Sequence, residues 1–144
     1  MPVSCSDPRA AALVAAYEGL TRDSLPTLLA LYAEQARFKD PFNEVRGRAA
    51  IEQVFAHMFN TLREPRFTVT LCTCEGDHAF LTWDFRFLRE RGEPLLVRGA
   101  SHLSFQPDGL VALHRDYWDA AEELYAKLPL LGVLMRALQK RLRA

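Results

Sequence analysis

The chain has 144 residues, 49% of them hydrophobic and 25% charged, values that fit one compact domain with a sizeable core. Eighteen basic residues balance eighteen acidic ones, so no basic excess advertises nucleic acid. No apolar run approaches the roughly 18–20 residues needed to cross a bilayer, and Met1 to Ala10 lacks the apolar core of a secretory signal, so neither stable membrane insertion nor secretion is expected.

In chain order, Asp7-Pro8 offers an acceptor before a first-turn proline, and Leu13, Ala16, Tyr17 and Leu20 then share one helical face. Asp23 can cap a second helix running through Leu28, Leu29 and Tyr32, with Pro26 tolerated in its first turn. A short extended piece, Arg37 to Asp40, stops at Pro41. Gly47 precedes the clearest helix, whose core stripe is Ile51, Val54, Phe55, Met58, Phe59 and Leu62, and Pro65 closes it. The period then changes to two. Strands are predicted over about Arg66–Glu75, Ala79–Arg89, Leu95–Phe105 and Leu110–Trp118, joined by glycine-containing turns into an antiparallel meander.

Residues 119–144 form a helical extension of the single domain spanning 1–144, interrupted by Pro129 and Gly132. In it Leu131, Leu134, Met135, Leu138 and Leu142 make a stripe opposite Arg136, Lys140, Arg141 and Arg143, and packing of that stripe on the protein is expected over adsorption to an anionic membrane. Cys5, Cys72 and Cys74 lack zinc or redox spacing, and a C-x-C on a strand places Cys72 and Cys74 on one face. Buried free thiols, and with them a reducing cytoplasmic setting, are the expectation.

Helices followed by a meander plus one early strand predict an α+β domain, with helices on one face of a curled sheet around a conical cavity. Leu31-Tyr32-Ala33, Phe38-Lys39-Asp40-Pro41, Gly47 leading into Ala50-Ile51, Arg98-Gly99-Ala100-Ser101-His102-Leu103 and His114-Arg115-Asp116-Tyr117-Trp118-Asp119 resemble the nuclear-transport-factor-2-like superfamily. That group includes ketosteroid isomerases, limonene-epoxide hydrolases and SnoaL-like proteins, and the resemblance spans about residues 8 to 125. It implies a cone-shaped fold and, position by position, a general-base role for Asp40 as in the isomerases. The isomerase oxyanion donors correspond to Leu13 and Ser101, which removes both. Asp84 and Asp116 match the acidic members of the epoxide-hydrolase triad, Thr82 stands where its arginine would be, and Phe38 and Asp40 stand where the water-holding tyrosine and asparagine would be. Arg86 is the candidate substitute. One fold supports many sites, so neither chemistry is inherited whole.

Strand alternation sorts the candidates further. His114, Asp116 and Trp118 share a face, as do Val97, Gly99 and Ser101. If Asp84 faces the interior, Thr82 and Arg86 accompany it, and Trp83, Phe85 and Phe87 turn outward with Leu103, Phe105 and Tyr117. That outer aromatic surface predicts a homodimer. The candidate catalytic set is Asp40, Asp84, His114 and Asp116, since carboxylates and a histidine in an apolar cone are acid–base equipment. Tyr17, Tyr32, Phe38, Phe55, Phe59, Thr82, Arg86, Val97, Gly99, Ser101 and Trp118 are the candidate ligand contacts. Each carboxylate has a structural alternative: Asp40 as a strand terminator, Asp84 as an ion-pair partner of Arg86, Asp116 as an anchor for a neighbour. His102 is expected to face out, and His57 and His78 to lie on a helix surface and in a turn. Neither metal spacing nor a phosphate-binding glycine loop occurs, so no metal or cofactor is expected. Two functions follow: cofactor-free isomerisation, cyclisation or water addition on a lipophilic small molecule, or non-catalytic binding of one.

Overall fold

The computed structural model describes residues 5–89, 91–123 and 129–143. Helix α1 (Pro8–Glu18) begins as expected, with the Asp7 carboxylate accepting the Arg9 amide at 2.9 Å. Helix α2 (Leu25–Leu29) is much shorter than the predicted one, and Ser24 rather than Asp23 precedes it. Tyr32 instead opens strand β1 (Tyr32–Lys39), because the sheet captures the chain there: Tyr32 pairs with Val111, and the Val111 amide donates to the Leu31 carbonyl at 2.9 Å. A register shift between Tyr32 and Arg37 breaks the two-residue period and hides the first half of β1 from a sequence reading.

Strand β2 (Glu44–Arg46) returns antiparallel to β1 and leads through Gly47, at φ +94°, into α3 (Arg48–Thr61). Only glycine adopts that φ without strain. The helix ends before Pro65, which instead lies in β3 (Arg63–Glu75), an edge strand where a missing amide costs no ladder bond. Strands β4 (His78–Leu88), β5 (Pro94–Phe105) and β6 (Val111–Tyr117) complete the predicted meander. The six-stranded order is β2-β1-β6-β5-β4-β3, with β1 and β6 parallel and the other neighbours antiparallel. A short helix, α4 (Ala120–Glu123), follows β6 at the level of β5. Its buried Glu123 accepts the Arg98 amide at 3.2 Å, beyond the point where β6 stops pairing with β5. Helix α5 (Pro129–Leu142) closes the described chain.

The core lies between α1, α2 and α3 and the concave face of the sheet, centred on Leu13, Leu28, Tyr32, Ile51, Leu103 and Val111. Three expectations are corrected here. Trp83 and Phe85 are buried on the concave face, and Leu103 and Phe105 are core residues rather than outer-surface ones. Thr82, Asp84 and Arg86 consequently take the convex face, where the Arg86 guanidinium lies 3.2 Å from the Asp84 carboxylate. The β4–β5 register enforces this: Leu81, Trp83 and Phe85 pair directly with Ser101, Gly99 and Val97, and cross-strand partners share a face. Second, Cys5 and Cys72 form a disulfide that ties the segment before α1 to β3, leaving Cys74 as the free cysteine among the described residues. That removes the three-thiol basis on which a reducing compartment was expected. Third, the aliphatic stripe of α5 is exposed at Leu131, Leu134, Leu138 and Leu142 instead of packed on the body. Pro129, Leu130 and Met135 have side chains outside the described set, as have residues 124–128 entirely.

The convex face keeps Phe80, Leu71 and Tyr117 exposed. His102 does face out, as predicted. It pairs with His78 across 2.9 Å and stacks on Phe80 at 4.8 Å between ring centroids. No helix among the described residues is long and apolar enough to cross a membrane.

Candidate functional site

The cone encloses a cavity of about 550 Å³, large enough for a drug-sized molecule. Its walls are chiefly apolar: Val54, Phe55 and Met58 from α3 face Phe67, Phe85 and Val97 from the sheet. Into this wall project Ser101, His114 and Asp116, while Asp40, Asn43 and Arg89 belong to the turns that border the cavity.

The polar groups form one continuous chain of hydrogen bonds. Trp83 Nε1 donates to Ser101 Oγ at 2.8 Å, and Ser101 Oγ lies 2.5 Å from Asp116 Oδ1. His114 Nε2 lies 2.6 Å from the same oxygen, and His114 Nδ1 lies 2.7 Å from the Tyr32 hydroxyl. Tyr17 completes the chain, with its hydroxyl 2.5 Å from that of Tyr32 and 3.3 Å from His114 Nδ1. Donor chemistry fixes the directions. An indole N–H can only donate, so the Ser101 proton goes to Asp116. The carboxylate oxygen can only accept, so His114 Nε2 donates to Asp116; with Nδ1 as the ring's acceptor, Tyr32 donates to it and accepts in turn from Tyr17. With that tautomer every proton along the chain points toward Asp116 Oδ1. Oδ2 has no hydrogen-bond partner among the described residues and belongs to a side chain that remains 17% exposed in the cavity wall.

Burial pushes the Tyr17 phenol well above its usual value, and the neighbouring Tyr32 and the Asp116 charge push it further. Burial raises Tyr32 as well, against the opposing effect of its bond with Tyr17. Both phenols consequently stay protonated as donors. Gly99 is what admits Trp83 to this arrangement: a Cβ at Gly99 would lie 2.4 Å from the indole ring. The close approach explains a glycine in mid-strand.

The predicted site residues divide clearly. Tyr17, Phe38, Phe55, Val97, Ser101, His114, Asp116 and Trp118 line the cavity, and Tyr32 supports it from full burial. Asp40 and Asp116 do border one common cavity. Asp40, however, accepts the amides of Phe42 and Asn43 at 2.8 and 2.6 Å and the Asn43 side-chain amide as well, which makes it the terminator of β1. Asp84, Thr82 and Arg86 lie on the convex face and do not line this cavity. Phe59 sits outside it too, under the Arg22 guanidinium at 5.7 Å, and Gly99 contributes through Trp83 rather than by lining the wall. Phe67 on β3 and Trp83 and Phe85 on β4 were missed; for the latter two the two-residue period of β4 contained the signal, but anchoring Asp84 inward inverted it. Among the described residues no three His, Cys, Asp or Glu side chains converge as metal ligands.

A family model described as a SnoaL-like domain matches residues 13–114. No curated protein matches the chain. Among solved structures, the chain is similar to a Catenulispora acidiphila protein of ketosteroid isomerase-like fold in complex with trimethylamine, with TM-score 0.71 and 20% identity over 85% of this chain and 94% of that one. It is also similar to an NTF2-like protein of unknown function from Burkholderia pseudomallei, with TM-score 0.72 and 18% identity over 81% and 94% of the two chains. The third is TerC, co-crystallised with polyporic acid, with TM-score 0.72 and 18% identity over 81% and 95%. At these identities the solved structures show the fold, a cone of nuclear-transport-factor-2-like type.

Proposed function

This chain belongs to the SnoaL-like domain family, and we propose that its cone binds a lipophilic small molecule, steroid-, polyketide- or lipid-like, and moves a proton on it without a cofactor. Isomerisation, cyclisation and water addition all begin with such a step. The observation that carries this reading is the placement of one carboxylate, Asp116, in an apolar wall with two donors on Oδ1 and none on Oδ2. Donors that stabilise the anion in advance lower its desolvation cost, and the second oxygen is left to take a proton from the ligand. His114 and Ser101 position the carboxylate, the carboxylate requires a proton on His114 Nε2, and Tyr32 bonds the ring's other nitrogen. Asp40, with Oδ1 committed to the β1–β2 turn, would meet polar groups of the ligand at the cavity border. Small-molecule occupancy is also supported by the two neighbours crystallised with trimethylamine and polyporic acid. A second copy of the chain on the convex patch of Leu71, Phe80 and Tyr117 would give a homodimer, which light scattering at micromolar concentration tests directly.

The test has two stages. Native mass spectrometry of the purified protein identifies a co-purifying ligand, and NMR in D2O then follows deuterium uptake by that ligand. Asp116→Asn keeps the Oδ1 acceptor and replaces Oδ2 by an amide, so ligand occupancy should persist while exchange slows by about 10²-fold or more. Equal exchange in both proteins would refute the base assignment. Occupancy with no exchange in the wild type would establish the second reading, a binding or accessory protein, which the structural engagement of Asp40 favours.

A further inference from the structure

Helix α5 carries a face that the rest of the described chain leaves uncovered: Leu131, Leu134, Leu138 and Leu142 are 36% to 86% exposed. At about 100° per residue, Leu131, Leu134, Leu138 and Leu142 fall within an arc of about 80°. Lys140 and Arg143 lie on the opposite side, and Arg141 flanks the leucine arc. Residues 129–143 hold four basic residues and no acidic one, while the whole chain balances 18 against 18. The rest of the chain therefore carries an acidic excess of four, and the charges are segregated between helix and body.

We infer that α5 is an interfacial helix that lies reversibly on an anionic lipid bilayer, with its leucines in the acyl boundary and its basic residues at the headgroups. Charge selects this occupant. Leucine-to-leucine pairing with a second copy would set Arg141, which flanks the arc, near its like with no acidic residue on either helix to pair it, whereas an anionic surface attracts the helix and repels the acidic body, orienting the molecule. Length selects the mode: 14 residues span roughly 21 Å, short of the ~30 Å hydrocarbon core, so the helix lies in the plane of the interface. The chain between Glu123, which is held by Arg98, and the start of α5 spans at most about 20 Å, so a bound helix keeps the cavity bordered by Trp118 close to the lipid. The inference does not rest on the proposed proton transfer, and its test needs no ligand.

The experiment is co-sedimentation of the full chain with vesicles of pure phosphatidylcholine and with vesicles in which one lipid in four is phosphatidylglycerol. The expected result is sedimentation with the anionic vesicles alone, lost when salt is raised from about 0.1 to about 0.5 M. Replacing Lys140, Arg141 and Arg143 by Gln should weaken binding about fivefold per charge, roughly 100-fold in all. Leu134→Glu with Leu138→Glu should abolish it, and both variants should melt at the wild-type temperature because these side chains are exposed. Equal sedimentation with neutral and anionic vesicles, or none with either, would overturn the inference. So would a melting temperature lowered by several degrees in the leucine variant, which would place the stripe against the body. A dimer that dissociates in the leucine variant, without vesicle binding, would make a second copy the occupant and overturn it equally.

Discussion

Gly99→Ala tests the packing that assembles the site. The new Cβ would lie 2.4, 2.5 and 2.9 Å from three carbons of the Trp83 ring, against an ordinary carbon–carbon contact of about 3.5–4.0 Å. The methyl group is fixed to a mid-strand backbone, so the indole must retreat by about 1 Å or more into the cavity. That movement stretches the 2.8 Å bond from Trp83 Nε1 beyond reach of Ser101. Overpacking strain of about 1–3 kcal/mol and a lost buried hydrogen bond of about 1 kcal/mol together predict destabilisation of about 2–4 kcal/mol. Urea unfolding followed by circular dichroism measures it, and the same substitution on a Trp83→Leu background provides the control. With the indole gone, Gly99→Ala should cost under about 1 kcal/mol, so the cycle isolates the contact. An equal cost on both backgrounds, or a cost below about 0.5 kcal/mol in the wild type, would refute the reasoning.

The buried phenols make stability alkali-sensitive. Tyr17 and Tyr32 are both raised above the usual value of 10.0, so their contribution is fully present below about pH 10 and is lost as pH rises above it. Stability measured from pH 9 upward should fall more steeply in the wild type than in the Tyr17→Phe, Tyr32→Phe double variant, the difference in slope approaching about 2.7 kcal/mol per pH unit above about pH 11, and parallel curves would contradict this. Reduction of Cys5–Cys72, which closes a loop across 67 residues of sequence separation, should lower stability by up to about 4 kcal/mol in urea titrations with and without reductant. Asp84→Asn and Arg86→Ala should leave ligand occupancy unchanged and alter stability by less than about 0.5 kcal/mol, because the pair sits on the convex face; lost occupancy would return Asp84 to the site.

The meander was legible because its turns are marked by glycine and its strands alternate, and α1 and α3 because their apolar stripes and starts are local features. The first half of β1 was not, since its register shift destroys the period that a reader counts. Tyr32 read as helix for the same reason: only its pairing with Val111, far along the chain, makes it a strand residue. Face assignment on β4 failed for a different cause. Each strand alone offers two choices, and the choice between them lies in the β4–β5 register, which pairs odd residues with odd ones from Trp83–Gly99 to Phe87–Leu95. With Val97 and Ser101 inward, Trp83 and Phe85 had to follow. A resemblance placed on Asp84 outweighed that constraint. The disulfide was equally hidden, because nothing local to Cys5 says that α1 will bring it beside β3.

His114, Ser101 and Asp116 were recognised as neighbours, yet the sequence could not say what they do to one another. The geometry gives them a direction. Protons from Trp83, Ser101, Tyr17, Tyr32 and His114 all point toward Asp116 Oδ1, and the two phenols are held in their protonated form. A chain whose links all donate the same way, ending in phenols that resist ionisation, has no acceptor through which to carry a proton away from Oδ2. With its links donating this way, the chain anchors the carboxylate. On the proposed reading, a proton taken by Asp116 must therefore return to the ligand or leave through the cavity opening. Return to the ligand at a second atom is an isomerisation, and it needs no other titrating group in the wall. Water addition would need a second group to hold and deprotonate the water; Asp84 lies on the other side of the sheet, which leaves Asp40, at the border of the cavity, for that role. On the proposed reading, proton transfer within a single bound molecule uses Asp116 alone, and water addition would call on Asp40 as well.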